Sequence, residues 1–460
     1  LAAFPSLSGG ARGLVLPSGP GTTVHYELAL ALVALAIAAY AAVARSPLGA
    51  QLAAVRDRPA AASALGVPAA RLRLGAFVAS AAVGGLAGAL AVQLAGVTDP
   101  GANGPFRSFQ LFVAVLLGGA AAAGGGLVGI SVLGLLGLAA GAVARLENVP
   151  PERFETMLAA GFLLTVLATG TDGIIPWLRD RLRRRSRPDT FINGSDPFKS
   201  LLETRPAPLL AANGLRKRFG GVVAVDGLSL ELEGGRISAL VGPNGSGKTT
   251  ALRLVSGALE PDEGSVVLDG RPLPVHERER ALAGVVRTLQ GTAIFPRLTA
   301  LENALVGAAV RAHPVGPFRT VFATPQARAA GARARAQASA ALELAGLEGA
   351  ANEPASQLDA GEARALMLAN ALATEPRVLL VDEPAAGAGP EDVRRLAHVL
   401  LRLRARGLAL LIVEHDLRLV RRVADWVVVL DAGAVIASGT PDEVARDPAV
   451  REAYLGRSRL

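Results

Sequence analysis

The first two hundred residues alternate long uncharged tracts with short arginine-bearing segments. Leu28 to about Val43 (LALALVALAIAAYAAV) is uncharged, and so is Gly75–Val97. Ser108–Ala144 runs 37 residues without a charged side chain, and Thr156–Leu178 is broken only by Asp172. A membrane-crossing helix needs about 20 apolar residues, longer than the usual core helix of a soluble domain. The four tracts therefore predict an α-helical transmembrane bundle. From about Leu209 the pattern changes to short β-branched runs between helical stretches: RISALVG (236–242), RVLLVD (377–382), LALLIV (408–413) and WVVVL (426–430). That alternation predicts an α/β domain with a mainly parallel sheet.

Arginine placement orients the spans. The loop after the first tract carries Arg45, Arg56, Arg58, Arg71 and Arg73, and RDRLRRRSR begins at Arg179. Loops rich in Lys and Arg stay in the cytoplasm, so an even number of spans separates these two segments. Splitting the 108–144 tract at GGAAAAGGG (118–126) satisfies this, and about five spans are expected, with residues 1–26 outside. The expected organisation is a transmembrane permease region at 1–178, a basic linker at 179–208 and a soluble domain at 209–460. The segment around 46–70 has an amphipathic look that suits either a solvated connector or a helix docking onto a cytoplasmic motor.

Composition adds exclusions. Zero cysteines remove disulfides, thiolate metal sites and thiol nucleophiles together. Only 19% of residues are charged, which excludes a disordered polyelectrolyte. The formal charge of +8 needs no nucleic acid, because much of it is arginine flanking the spans and in the linker. Charge pairs suggesting a proton relay are absent from the apolar tracts, so secondary transport gains no support. The chain opens on Leu, so it is expected to start partway through a longer permease.

Three lysines occur in the chain, at 199, 217 and 248. The last sits in Gly242-Pro243-Asn244-Gly245-Ser246-Gly247-Lys248-Thr249-Thr250, between a predicted strand and a predicted helix, which is the context the phosphate-binding loop requires. Its glycines let backbone amides face phosphates, and the helix N-terminus adds a favourable dipole. Lys248 is expected on the β- and γ-phosphates and Thr249 on Mg²⁺. The buried run Val378–Val381 delivers Asp382, a candidate Mg²⁺ ligand, and Glu383, a candidate general base for the attacking water. LALLIV ends in Glu414-His415-Asp416, placing His415 to contact the γ-phosphate. Gln290, in RTLQ, is a candidate to sense Mg²⁺ and water, and Phe219, in KRFGG, either stacks on adenine or belongs to the core.

KRFGG, GPNGSGKTT, RTLQ, LDAGEAR, LLVDEP and IVEHD, in this order, resemble the ATP-binding cassette ATPases over 209–460. FGGVVAVDG, LENALVG, DEPAAG, the ending REAYLG and an arginine-rich helical stretch near 323–347 resemble the cassettes of branched-chain amino acid importers. SPLGAQLAAVRDRPAAASALGV and FVASAAVGGLAGAL look like the matching permease. The resemblance implies ATP and Mg²⁺ as cofactors and import of branched-chain amino acids across the inner membrane, with a cytoplasmic ATPase domain. It also implies a second permease, a second cassette, a solute-binding protein and membrane lipid as partners. A cassette exporter and an inactive or regulatory nucleotide-binding membrane protein are the alternatives. Two positions depart from the family pattern. Leu358-Asp359-Ala360-Gly361-Glu362 stands where the family has Leu-Ser-x-Gly-Gln, a loop that caps ATP on the opposite subunit, and Gly389 stands where Asp or Asn is usual. Asp359 suits a helix N-cap but sets negative charge beside a polyanion, so two unequal ATP sites are expected.

Overall fold

The computed structural model describes residues 14–15, 22–95, 97–98, 105–120, 122–147, 161, 173–175, 178, 209–289, 293–311, 316–415 and 417–455. The linker 179–208 and nearly all of the Thr156–Leu178 tract lie outside the described residues. The chain divides into two compact units, residues 1–41 with 77–188 and residues 42–76 with 189–460. The division differs from a single cut near 178–209, because the loop between the first two apolar tracts packs with the soluble domain.

In the first unit the apolar tracts are helical. Helix α1 (Thr22–Ala44) is followed, across α2 (Pro47–Asp57) and α3 (Pro59–Ala64), by α4 (Ala69–Ala95). Among the described residues α1 and α4 are the two helices long and apolar enough to cross a membrane. Leu30, Leu35, Phe77 and Leu86 stand exposed along them. The 108–144 tract is two helices, α5 (Pro105–Gly118) and α6 (Gly125–Glu147), which break at the glycine-rich segment and pack on each other.

The second unit begins with α2 and α3. Ser46 caps α2 by accepting from the Gly49 amide, and Pro47 occupies the first turn, where a missing N–H is harmless. Pro59 forces the preceding Arg58 out of the helical region (φ −144°, ψ 81°), which separates α2 from α3.

The rest of this unit is a layered α/β domain. Strands β1 (Leu210–Phe219), β2 (Val222–Leu232), β4 (Glu263–Leu268) and β5 (Arg271–Pro272) form an antiparallel sheet in the order β2-β1-β4-β5. Strands β3 (Ile237–Val241), β6 (Val285–Arg287), β7 (Val378–Asp382), β8 (Ala409–Val413), β9 (Trp426–Asp431) and β10 (Ala434–Gly439) form the central sheet in the order β10-β9-β3-β8-β7-β6. All its pairs are parallel except the β9–β10 hairpin. Both faces are covered, which is why its strands read as unbroken apolar runs. Ile237, Val241, Leu379, Val381, Leu410 and Ile412 face one core; Leu240, Leu380, Leu411 and Val413 face the other, shared with the antiparallel sheet and helix α7 (Lys248–Ser256).

The first of these cores also contains residues of α8 (Glu277–Ala283), α9 (Ala300–Arg311), α11 (Pro325–Ala345), α12 (Ala360–Leu372) and α13 (Pro390–Ala405), while the short α10 (Pro317–Val321) packs on α11. Ala50, Ala54, Val55, Ala61, Ala62, Leu65 and Val67 from the 46–67 segment are buried within that core, α2 packing on α9 and α3 on α8. Full burial of a Val or Leu side chain contributes about 1.5–3 kcal/mol, so Val55, Leu65 and Val67 hold this segment firmly to the soluble domain. Helices α14 (Leu417–Val423), α15 (Pro441–Arg446) and α16 (Pro448–Leu455) complete the unit.

Candidate functional site

The sheet order brings the candidate chemistry to one edge. β8 lies between β3 and β7, with Val413 opposite both Leu240 and Asp382, so the segments that follow β3, β7 and β8 emerge side by side. These carry the 242–250 loop, Asp382-Glu383 and Glu414-His415. The carboxyl end of adjacent parallel strands is the usual ligand crevice of an open α/β sheet.

The 242–250 loop has the backbone its glycines predict. Gly245 (φ +81°) and Gly247 (φ +100°) are left-handed, and Gly247 is the N-cap of α7. A Cβ on Gly247 would fall 2.2 Å from the Ala224 carbonyl of β2, so a larger residue cannot stand there. Pro243 is half-buried, Asn244, Gly245 and Thr249 are exposed, and Thr250 is half-buried. The Ser246 Oγ is buried without a hydrogen-bond partner. Lys248 is buried, and its Nζ donates to the Gly242 and Pro243 carbonyls, 2.8 Å each. Burial lowers its pKa, and Glu383 opposes that shift. The lysine is thus folded back onto its own loop, held by carbonyls that anionic oxygens can replace.

Asp382 is 2% exposed, and its Oδ1 has no partner. Burial pushes its carboxyl up to about 6; Arg287 pulls it down, and Glu383 pushes it further up. Its amide donates to Thr288 Oγ1 at 3.3 Å. Glu383 sits at φ +45°, and its amide donates to the Val413 carbonyl at 2.9 Å. An orphaned buried carboxylate oxygen beside a cradle for phosphates is the donor set for a divalent cation that takes its other ligands from phosphate, so these residues fit Mg²⁺.

His415 is half exposed; its Nδ1 lies 4.0 Å from Glu414 Oε2. Glu414 itself is fully buried, with Oε1 accepting from the Ala385 amide at 2.7 Å and Oε2 from the His415 amide at 3.1 Å. It ties the turn after Glu383 to the end of β8, a role that the EHD motif alone did not disclose; an acid ending an apolar strand was the available signal. Gln290 lies outside the described residues. Its neighbour Thr288 is at the same sheet edge, with its amide donating to the Leu380 carbonyl. Phe219 is 49% exposed, which removes the core alternative, and it stands where β1 turns into β2.

Two buried arginines escaped sequence reasoning. Arg287, of RTLQ, pairs with Glu277 of α8 (Nη2–Oε1 3.0 Å) and supplies positive charge to Asp382. Arg280 donates to the Leu254 and Val255 carbonyls at the end of α7 and to the Pro274 carbonyl, and burial lowers it to about 10. Tyr454, of REAYLG, is pushed up by burial and pulled down by a hydrogen bond from the Gly242 backbone.

The LDAGE segment is set apart from these groups in sequence and caps α12. Asp359 Oδ1 accepts from the Glu362 amide and Glu362 Oε2 from the Asp359 amide, a reciprocal capping box. Ala360 and Gly361 open the helix after Leu358. Arg364 of α12 donates to the Ala386 carbonyl at 2.9 Å, linking this helix to the turn after Glu383. Gly389 stands as N-cap of α13 without a side-chain hydrogen bond.

Comparison with known proteins assigns the family. Residues 225–386 match the family model for ABC transporters, and residues 4–173 match the permease component of branched-chain amino acid transport systems. Residues 434–459 match the model for branched-chain amino acid ATP-binding cassette transporters. Over 253 residues the chain is 40% identical to the high-affinity branched-chain amino acid transport ATP-binding protein LivG of Salmonella typhimurium, covering 55% of this chain and 99% of LivG. The chain belongs to the branched-chain amino acid ABC transporter family. A second relative, the ATP-binding protein BraF of Pseudomonas aeruginosa, is 39% identical over 256 residues, 55% of this chain and 99% of BraF. A solved nucleotide-free ATP-binding cassette from an ABC transporter aligns with 29% identity over 55% of this chain and 100% of its own, with a TM-score of 0.47. As a member of this ABC family the chain has a nucleotide-binding cassette that hydrolyses ATP coupled to transport, and with its permease-type region and two apolar helices it is an inner-membrane protein.

Proposed function

We propose that this chain drives import of branched-chain amino acids, with a permease region of about five spans at 1–178 and its motor at 209–460 on one polypeptide. The observation that carries the proposal is the burial of the 46–67 segment in the cassette core. It connects two apolar helices of membrane-crossing length and packs on α8 and α9, so a displacement of those helices would be felt by the spans. That is the behaviour of a coupling segment rather than a solvated connector.

In this reading ATP occupies the 242–250 loop, and Lys248 exchanges the Gly242 and Pro243 carbonyls for the β- and γ-phosphates. The glycine amides and the α7 N-terminus face the phosphates, and Phe219 offers its exposed ring to adenine. Thr249 and Asp382 hold Mg²⁺, which when bound neutralises phosphate charge. Glu383 takes the proton of the attacking water, held in place by the Val413 carbonyl on its amide and by Glu414 on the following turn. His415 and Gln290 contact the γ-phosphate and the attacking water. Leucine, isoleucine and valine are the substrates by default. Partners are a second permease, a second cassette whose signature loop completes this site, and an extracytoplasmic solute-binding protein. The cassette is cytoplasmic and the chain multi-pass. Its own LDAGE loop serves the opposite, slower site.

ATP hydrolysis by the full chain with its second cassette tests the motor. Glu383→Gln is expected to retain ATP binding and lose turnover at this site. ATP binding with no turnover in the wild-type complex would favour the regulatory alternative, and an absence of ATP binding would defeat the proposal.

A further inference from the structure

We propose that the α10–α11 hairpin of the cassette is a lipid-docking surface, with Phe318 and Phe322 seated in the headgroup layer of the cytoplasmic leaflet and the hairpin arginines over anionic phospholipid. This rests on the reading of α1 as a membrane span.

Three independent features point there. Phe318 and Phe322 are 79% and 72% exposed, the most exposed aromatic side chains among the described residues of their unit. The Phe322 amide donates to the Phe318 carbonyl, so the two are one helical turn apart and share a side. Two neighbouring aromatic rings left mostly in water form an apolar patch that the fold does not use.

The second feature is charge. From Asn303 to Leu342 the chain contains no Asp or Glu but carries Arg311, Arg319, Arg328, Arg333 and Arg335. Arg311 is occupied with the Thr374 carbonyl. The other four make no ion pair among the described residues: Arg319 donates to the Gln326 amide oxygen and Arg335 to a backbone carbonyl. A surface of one sign, without internal neutralisation, fits an anionic partner.

The third feature is position, and it selects lipid. Arg335 Nη2 donates to the carbonyl of Arg45 at 3.0 Å, and a Cβ on Gly331 would lie 3.8 Å from Pro47 Cδ. Arg45 is the residue immediately after α1, where the apolar helix ends. Residues 328, 331 and 335 share one face of α11, so the stripe that meets the end of the span continues to Arg328, about 10 Å further along. One turn beyond, Thr324 caps α11 and the chain turns into α10. Arg335 and Gly331 stand at the end of the span and the same helix leads on to the aromatic pair; rings and arginines together are the composition of the headgroup interface, where rings bury their apolar bodies and guanidinium groups meet phosphate.

The absence of native cysteine makes the test direct. Full-length Phe318→Cys and Phe322→Cys variants, each carrying a nitroxide, are reconstituted in bilayers of phosphatidylcholine with or without phosphatidylglycerol. Leu35→Cys on α1 and Val222→Cys on the β1–β2 hairpin serve as lipid and water references. Collision with lipid-soluble oxygen and with a water-soluble nickel chelate is read by paramagnetic resonance. Labels at 318 and 322 are expected, in anionic bilayers, to meet nickel less than position 222 and oxygen less than position 35, as in the headgroup layer, with the docked fraction falling roughly fivefold for Arg328→Gln. Nickel accessibility equal to position 222 in both bilayers would overturn the proposal. So would shielding from both reagents that develops only when the partner subunits are added, which would assign the surface to protein. A nickel-accessible label at position 35 would instead remove the membrane reading of α1 and the proposal with it.

Discussion

Replacing Asp359 by Ser tests the unequal sites by changing one charge at nearly constant structure. Asp359 holds α12 by its Oδ1, which accepts from the Glu362 amide at 2.7 Å. Serine caps about as well, so the helix should change by only a few tenths of a kcal/mol. The electrostatic change is larger. A Cβ on Gly361 would lie 2.7 Å from Asp392 Oδ1 and 3.3 Å from Asp359 Oδ1, so two carboxylates flank the start of this helix. Arg364 Nη1 stands 3.6 Å from Asp392 Oδ2 and offsets that one. Among the described residues Asp359 has no such cation. A unit repulsion at 4 Å is about 4 kcal/mol at an effective dielectric near 20, and exposure to salt reduces it. Even about 1.4 kcal/mol is a factor of ten in rate. The assay is ATP turnover of the complex carrying Glu383→Gln in this chain, which silences the site built on its own phosphate loop and leaves the site served by LDAGE. Adding Asp359→Ser should raise that residual turnover about tenfold or more. Unchanged or lower turnover would refute the reasoning, as would equal loss of activity when the catalytic Glu of each cassette is mutated separately.

Asp382→Asn should stabilise the nucleotide-free protein at pH 7.5 while abolishing Mg²⁺-dependent hydrolysis. Burial pushes the folded carboxyl up to about 6 from its ordinary 3.8, so the folded state binds more protons between these values and stability falls as pH rises through that window. The gain from Asn is at most about 3 kcal/mol, read in urea unfolding, and destabilisation would contradict it. Arg280→Met removes the donors to the Leu254, Val255 and Pro274 carbonyls and should cost about 2–4 kcal/mol; an unmoved urea midpoint for the cassette would contradict this. Gly66 lies at φ +94°, and a Cβ there meets Val310 Cγ1 at 3.1 Å and Ala281 Cβ at 3.4 Å. Gly66→Val should therefore strain the 46–67 contact by about 1–2 kcal/mol and lower uptake several-fold more than ATP turnover, a split that parallel assays of both would detect.

The phosphate loop was legible because its motif lies between a run apolar on both faces and a helix, a context that the parallel sheet requires. Asp382 was legible for the same reason: a strand buried on both sides ends at the same sheet edge as the phosphate-loop motif. Glycines at 118–126 marked the break between α5 and α6. The 46–67 segment was not decided by its sequence, since an alanine-rich amphipathic stretch suits water or a partner equally; its burial against α8 and α9 is what the sequence did not disclose. Arg280, Arg287 and Glu414 were hidden because tertiary packing supplies partners that no local motif marks: the end of α7 for Arg280, Glu277 of α8 for Arg287 and the Ala385 amide for Glu414. Phe219 could not be assigned from composition because a phenylalanine ending a strand serves a core or a ligand alike; its exposure speaks against the core.

Transport itself is the most direct test. The full chain is reconstituted with its second permease, second cassette and solute-binding protein, and uptake of labelled leucine is followed with ATP on the cassette side. ATP-dependent accumulation that Glu383→Gln strongly reduces, with ATP binding retained, is the expected result. Accumulation indifferent to Glu383→Gln, or ATP-driven movement of leucine toward the side of the binding protein, would contradict the account.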